Sequence, residues 1–525
     1  MLFCAIAVAA SAGVQAAGID KEAVVQSVFE DIVRVAGDGR PAPALHIVDS
    51  GERNLRIAWF DPSPGTRAVS IERRTADLCF DGPLGARPRD CLAFILGHEL
   101  THFYKDHSQL QEIAGAAPGV GRGAQQSVLL EAQADESGEY YAFLAGYDGF
   151  GVAVGVLDAI YRAFQLPSEI PGYPSLAVRK KELAQVHAKL GKVLPIFEAG
   201  IILFFAGRYL EAARCFDQAG RDFPSREVLN NSGAMRLMAA LAIRGSKEPF
   251  LYPIEVDLET RLSQTAGRAP AGADVETLAK QALQSFERSI ARDPAYAPSL
   301  VNRSLAYTLL GSWSEALGAA DHAAATAVAG PADSGASAAA AIAHGIAAHY
   351  AGDDARARRD FQAAAPAVPR LSALNLAALE PAHAPSTAGC QTGRRQRERI
   401  DGKLPEDLRS LATSKNVMDI EENENSFGPL RVFPAATVEF EGYVIESAER
   451  VVSALITAAD HKSCSAAGIC LGDSVAKAAS AYPCNRGEAG FGGRRYLLDP
   501  VQNAVFDFNA SGQLRRWILF SDDPL

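Results

Sequence analysis

The chain has 525 residues, which is too long for one core; at about 150 residues per domain it should hold three or four. Hydrophobic residues make up 48% and charged residues 22%, as in ordinary soluble globular proteins. The formal net charge of −11, from 51 basic and 62 acidic residues, excludes nucleic-acid or anionic-membrane binding driven by overall charge.

The first eighteen residues carry no charged side chain. They end in small residues, and Val14-Gln15-Ala16 or Gln15-Ala16-Ala17 fits a signal-peptidase site. Residues 1–17 therefore read as a signal peptide, although the usual basic residue at its start is missing. No second long apolar run follows, so the expected mature protein is exported, soluble and without an integral membrane segment. Cysteine placement agrees with an oxidising compartment. Cys79 and Cys91 flank a Gly/Pro-rich loop and could close on each other, and one bridge is expected among Cys464, Cys470 and Cys484, with its connectivity open. Cys215 falls on an expected packed helix and reads as a free buried thiol.

Lys21 to Val35 has apolar residues at helical spacing. Leu45–Val48, Leu55–Trp59 and Ala68–Ile71 are short, partly β-branched runs separated by turn residues, and read as a small sheet. Pro88-Arg89-Asp90 starts a helix through about Tyr104, and Gln126 to Leu144 makes another beyond a Gly/Ala-rich loop at 114–123. From Leu194 the texture becomes repetitive. Gly200, Gly207, Tyr209, Ala212, Phe216, Ala219 and Pro224 stand at tetratricopeptide spacings. The frame recurs in Ala282, Phe286 and Pro294, in Tyr307, Gly311, Trp313 and Ala316, and from Gly345 to Pro369. A Pro/Gly-rich insertion is expected at 246–273.

Residues 382–428 read as a linker, with a basic cluster (Arg394, Arg395, Arg397, Arg399) and an acidic one (Glu421, Glu422, Glu424) as solvated faces. The remainder closes with a hairpin, Ala504–Phe508 and Leu514–Phe520, around a turn at Asn509–Gly512. The expected architecture is multidomain. It comprises an α+β unit at 18–192, an all-α helical-repeat solenoid at 193–381, the linker, and a small α+β domain at 429–525.

The chemistry sits in His98-Glu99-Leu100-Thr101-His102. On a helix, residues four apart share a face, so His98 and His102 can both reach one metal ion. Glu99 lies beside that ion, where it can take a proton from an attacking water and pass it to a leaving amine. Leu92, Phe94, Ile95 and Leu96 make the helix buried, and buried His and Glu need partners. A catalytic metal wants a third protein ligand. Glu131 and Asp135 on the next helix can divide the roles of ligand and partner to a ligating imidazole, while Glu136 and Glu139 compete with them as members of a solvated acidic face. Asp106 and His107 read as exposed polar residues at a helix end rather than as further ligands.

With Glu131-Ala132-Gln133-Ala134-Asp135 on the following helix, this motif resembles the HtpX-like gluzincin family, which includes the CAAX prenyl proteases. The attached repeats and the signal peptide give it the layout of the family's periplasmic tetratricopeptide-containing quality-control proteases. The resemblance implies one zinc ion per chain held by His98, His102 and Glu131, with Glu99 as general base and Asp135 behind the ligands. The family also carries a His-Pro-Ser stretch with an Arg six residues after the His. Here it reads Tyr173-Pro174-Ser175, with Arg179 matching; Arg179, together with Tyr173, would hold the oxyanion. The expected function is a periplasmic or otherwise secreted zinc endopeptidase acting on protein or peptide substrates, with a partner protein able to dock on the repeats. The alternative is a chaperone or scaffold that works through the repeats and keeps a residual or partner-gated zinc site.

Overall fold

A computed structural model describes residues 20–36, 41–49, 58–61, 67–107, 122–169 (except 146 and 148), 174–255, 273–329, 334–380, 397–412, 417–421, 428–436, 441–456 (except 449), 464–484, 486–489, 495–499, 502–508 and 512–521. The expected signal peptide, Tyr173, residues 114–121 of the expected loop, Arg394, Arg395, Glu422 and Glu424 lie outside the described residues, while 122 and 123 begin a helix.

Helix α1 (Lys21–Ala36) is amphipathic, and its Val25, Val28, Phe29 and Ile32 are buried. Three strands follow: β1 (Ala44–Val48), β2 (Ala58–Asp61) and β3 (Ala68–Glu72). They form one sheet in the order β1-β3-β2, with β1 parallel and β2 antiparallel to β3. Strand β3 is buried along its whole length, as a central strand should be. After the short α2 (Arg73–Leu78) comes α3 (Pro88–Tyr104), packed between α1 and α4 (Arg122–Leu144). The Cys79–Cys91 disulfide ties the end of α2 to the first turn of α3. Helix α5 (Ala153–Ala163) completes this unit.

Helix α6 (Leu176–Phe205) crosses the boundary expected at 192/193 without a break and carries Pro195 inside it. The first unit and the helical array therefore share one helix. The array continues with α7 (Tyr209–Asp222), α8 (Arg226–Arg244), α9 (Val275–Arg292), α10 (Ala297–Leu310), α11 (Trp313–Ala329), α12 (Ser334–Tyr350), α13 (Asp354–Ala364) and α14 (Pro369–Ala378), each packed on the next. Gly207, Gly311 and Gly352 turn the chain between paired helices at φ +65, +76 and +89, a region closed to most side chains. Close packing recurs with the same chemistry. A Cβ at Gly200, Gly233 or Gly345 would fall 2.6–2.9 Å from ring atoms of Phe216, Phe286 or Phe361 on a neighbouring helix. Each phenylalanine thus fills the space that a missing side chain leaves.

The stretch expected to be a linker is partly structured. Its second half holds α15 (Pro405–Arg409) and β4 (Met418–Ile420), and β4 pairs with β5 (Leu430–Ala436). The three-residue strand sits beside the acidic run, and that charge masked its pattern in the sequence. An eight-stranded sheet results, in the order β4-β5-β6-β7-β11-β10-β9-β8. Its other members are β6 (Glu441–Ser447), β7 (Arg450–Ile456), β8 (Arg486–Ala489), β9 (Arg495–Asp499) and the expected hairpin β10 (Ala504–Phe508) and β11 (Leu514–Phe520), with α16 (Val475–Ala481) beside them. Both faces are covered. Phe506, Trp517 and Leu519 pack with Leu408 and Ala478 on one side, while Val505, Ile518 and Phe520 belong to the core shared with the helices. The period-two alternation of a strand sorts these neighbours to opposite faces. Glu198 and Phe205 of α6 meet Arg516 and Tyr496 of this sheet, and the Arg214 guanidinium of α7 donates to the carbonyls of Ile420, Glu421 and Gly428.

Cys464 and Cys470 form the expected bridge among the last three cysteines, Cys484 is disulfide-bonded as well, and Cys215 is free and buried. Among the described residues no helix is long and apolar enough to cross a membrane.

Candidate metal centre

Two glycines let the site form. A Cβ on Gly97 would lie 2.6 Å from the Gly138 carbonyl oxygen, and one on Gly138 would lie 2.6 Å from the Gly97 carbonyl carbon. Helices α3 and α4 therefore touch backbone to backbone, a closeness that only residues without a Cβ permit. Gly97 immediately precedes His98, and Gly138 follows Asp135 by one helical turn. The contact thus brings the two functional faces together.

His98, His102 and Glu131 converge, with one donor atom from each within 4.8 Å of the others, and this cluster could hold a metal ion. His98 Nε2 lies 3.1 Å from His102 Nε2 and 3.3 Å from Glu131 Oε2. His102 Nε2 lies 3.6 Å from Glu131 Oε1. Tetrahedral nitrogen and oxygen ligands about 2.0–2.1 Å from an ion stand roughly 3.3–3.4 Å apart, so the donor set has the dimensions and chemistry of a four-coordinate cation site. Glu136, the rival carboxylate, turns away to Lys189, whose Nζ lies 2.5 Å from its Oε1.

The groups behind the donors orient them. Asp135, 2% exposed, takes His98 Nδ1 at 2.7 Å and Arg179 Nη2 at 2.8 Å on the same oxygen. Ser175 caps α6, its hydroxyl accepting from the Val178 amide, and this places Arg179 in the first turn facing Asp135. Arg179 thus holds the carboxylate that holds His98. The neighbouring Tyr173 lies outside the described residues.

His107 corrects the expectation of an exposed helix end, because it is 1% exposed. Helix α3 stops at Tyr104, and Asp106 adopts a left-handed backbone (φ 53) that an aspartate tolerates better than most residues. The chain turns back and places His107 Nδ1 3.0 Å from His102 Nδ1, with His107 Nε2 3.2 Å from Gln133 Oε1. The amide oxygen of Gln133 can only accept, so His107 Nε2 carries a hydrogen and its Nδ1 accepts from His102 Nδ1. That leaves the lone pair of His102 Nε2 facing the centre. Sequence reasoning missed Gln133, and no spacing rule would have found His107, since five residues beyond His102 is not the same helical face.

The charges agree with this arrangement. Burial disfavours the His98 imidazolium, but Asp135 and then Glu131 more than offset it and push its pKa up to about 10. Burial and the charge on His98 bring His102 down to about 3. Burial works against ionised Glu131, yet the histidines hold its pKa at about 2. Asp135 is likewise held at about 2, against its burial, by Arg179 and His98. The carboxylates of Asp135 and Glu131 thus favour the charged form of His98. Glu99, one residue along α3 and half-buried, is raised to about 7, mainly by burial and also by the carboxylates of Glu131 and Asp135. It is the group at the rim of the cluster best able to exchange a proton at neutral pH.

No known protein family is matched by the sequence, and no curated protein shows significant similarity to it.

Proposed function

We propose that the protein is a zinc-dependent endopeptidase of the HtpX-like gluzincin type, exported to the periplasm or secreted, with tetratricopeptide-like helices that engage protein substrates. The observation that carries this reading is the convergence of His98, His102 and Glu131 with Glu99 beside them. Two imidazoles and one carboxylate are the donor set of a catalytic rather than a structural zinc site. His98, His102 and Glu131 would hold the zinc ion, which would supply Lewis acidity towards a peptide carbonyl and a water molecule.

The chain's own residues supply the rest. Asp135 and the His107–Gln133 pair fix the two imidazoles with Nε2 inward. Glu99 takes the proton of the attacking water and gives it to the leaving amine, so that a peptide bond and one water become a carboxylate and an ammonium group. Arg179 holds Asp135; its remaining guanidinium hydrogens, with Tyr173, are the candidates for stabilising the oxyanion. The paired disulfides suit an oxidising compartment.

The test is hydrolysis of unfolded casein by the purified chain after zinc loading. Cleavage abolished by chelation and restored by zinc is expected. A zinc-loaded chain that cleaves nothing, or cleavage indifferent to chelator, would overturn the reading.

A further inference from the structure

The helical array makes a set of contacts that the peptidase reading does not use. Asn230 of α8, Asn302 of α10 and Asn375 of α14 are fully buried, and all three bind the main chain of one segment, residues 248–255. Asn302 accepts from the Glu255 amide at 2.9 Å and donates to the Glu255 carbonyl at 2.7 Å. Asn375 makes the same pair of bonds with Leu251, at 2.8 and 2.9 Å. Asn230 donates to the Glu255 carbonyl at 2.8 Å and accepts from Asn302. A carboxamide that takes both the N–H and the C=O of one residue repeats what a neighbouring β-strand does. It recognises extended backbone and ignores the side chain.

The segment has the form of a ligand. Phe250, Tyr252 and Ile254 are 1%, 2% and 1% exposed, and Pro253 and Glu255 are buried beside them, so the second half of the segment is enclosed among the helices. Pro249 and Pro253 hold the residues before them extended and bring no amide hydrogen of their own. At one end the Glu248 carboxylate, 3% exposed, receives Arg244 at 2.7 Å and the Tyr350 hydroxyl at 2.7 Å. Phe250 packs near Phe361, with ring centroids 5.9 Å apart.

We propose that the surface shared by α8, α10 and α14 is a binding site for an extended polypeptide, and that residues 248–255 occupy it in cis. Its ligand is an unfolded protein segment in which an acidic residue precedes two aromatic residues and an aliphatic one at alternate positions. A tethered segment competes at an effective concentration in the millimolar range, so a peptide of micromolar affinity binds the intact chain at least about 100-fold more weakly than the vacated site. The inference rests on the part of the proposed function that gives the helices protein substrates, and its test reads binding alone, so it can fail while peptide hydrolysis stands.

The test uses a labelled synthetic peptide of residues 248–255 and fluorescence anisotropy. The full chain with residues 248–273 replaced by a Gly/Ser linker should bind it with micromolar affinity, and the unaltered chain at least about 100-fold more weakly. A second variant, Phe250→Ala/Tyr252→Ala, keeps the segment but weakens its hold, and should bind the peptide at least about tenfold better than the unaltered chain. Adding Asn302→Ala and Asn375→Ala to either variant should abolish binding. Absence of binding to a folded linker variant, or no gain in the second, would show the segment to be a fixed strut. Binding that survives loss of both asparagines would overturn the main-chain recognition.

Discussion

The metal centre and the asparagine cluster are both buried polar networks built where helices meet, and they are completed in opposite ways. In the helical array Asn230, Asn302 and Asn375 find partners within the chain. Asn302 and Asn375 each take the N–H and the C=O of one residue of the 248–255 segment. Between α3 and α4 the groups are charged, and three donors point at one another with a single proton to share. Neutral, satisfied networks stabilise a fold, whereas a buried cluster of charged groups costs stability unless its members are well paired.

Substitutions test that contrast, and the largest effect should come from the ligands. His98→Ala or His102→Ala should weaken zinc binding by more than about 10³-fold, read as metal content after dialysis. Glu131→Ala should do the same and Glu136→Ala should not, because Glu136 is spent on Lys189. Reversal of that pair would reassign the third ligand.

A smaller effect separates the networks themselves. His107→Ala removes the partner that sets the His102 tautomer and should cost about 10–100-fold in zinc affinity, with His107→Gln recovering part of it. Asn302→Ala should leave zinc affinity unchanged and lower unfolding stability by about 1–3 kcal/mol, the cost of unpaired buried backbone groups. A His107→Ala chain with full affinity would make that histidine a packing residue only.

The pH dependence is smaller still per unit. His98 is protonated at neutral pH in the metal-free chain, since its pKa lies near 10. Zinc must displace that proton, so calorimetry in buffers of different ionisation enthalpy should show about one proton released per ion. Affinity should rise up to about tenfold per pH unit below 10. In the metal-free chain the same raised pKa favours the fold below the ordinary imidazole value of 6.5, and that gain fades as pH climbs towards 10. Absence of proton release would mean that His98 is neutral before metal binds.

Much of this was legible from local pattern. The i, i+4 histidines, the amphipathic α1, the closing hairpin and the helix pairs all follow from periodicity, which a single sequence displays. Glu131 could be nominated but not chosen over Glu136, because that choice depends on the Gly97–Gly138 contact between helices distant in sequence. His107 was misread as exposed, since its burial turns on one left-handed residue, Asp106, that no spacing rule encodes. Strand β4 is hidden within the expected linker because its three residues, next to an acidic run, are too few to show an alternation. The insertion at 246–273 was recognised as a break in the repeats, yet nothing local showed that its first residues pack into the helices they interrupt.

Glu99→Gln distinguishes a catalytic centre from a structural one. The substitution keeps size and removes basicity from the one carboxylate beside the donors that is raised to about 7. The chain should keep its zinc and its unfolding temperature while casein hydrolysis falls by about 10²–10⁴-fold. Full hydrolysis by the zinc-loaded Glu99→Gln chain would contradict the account.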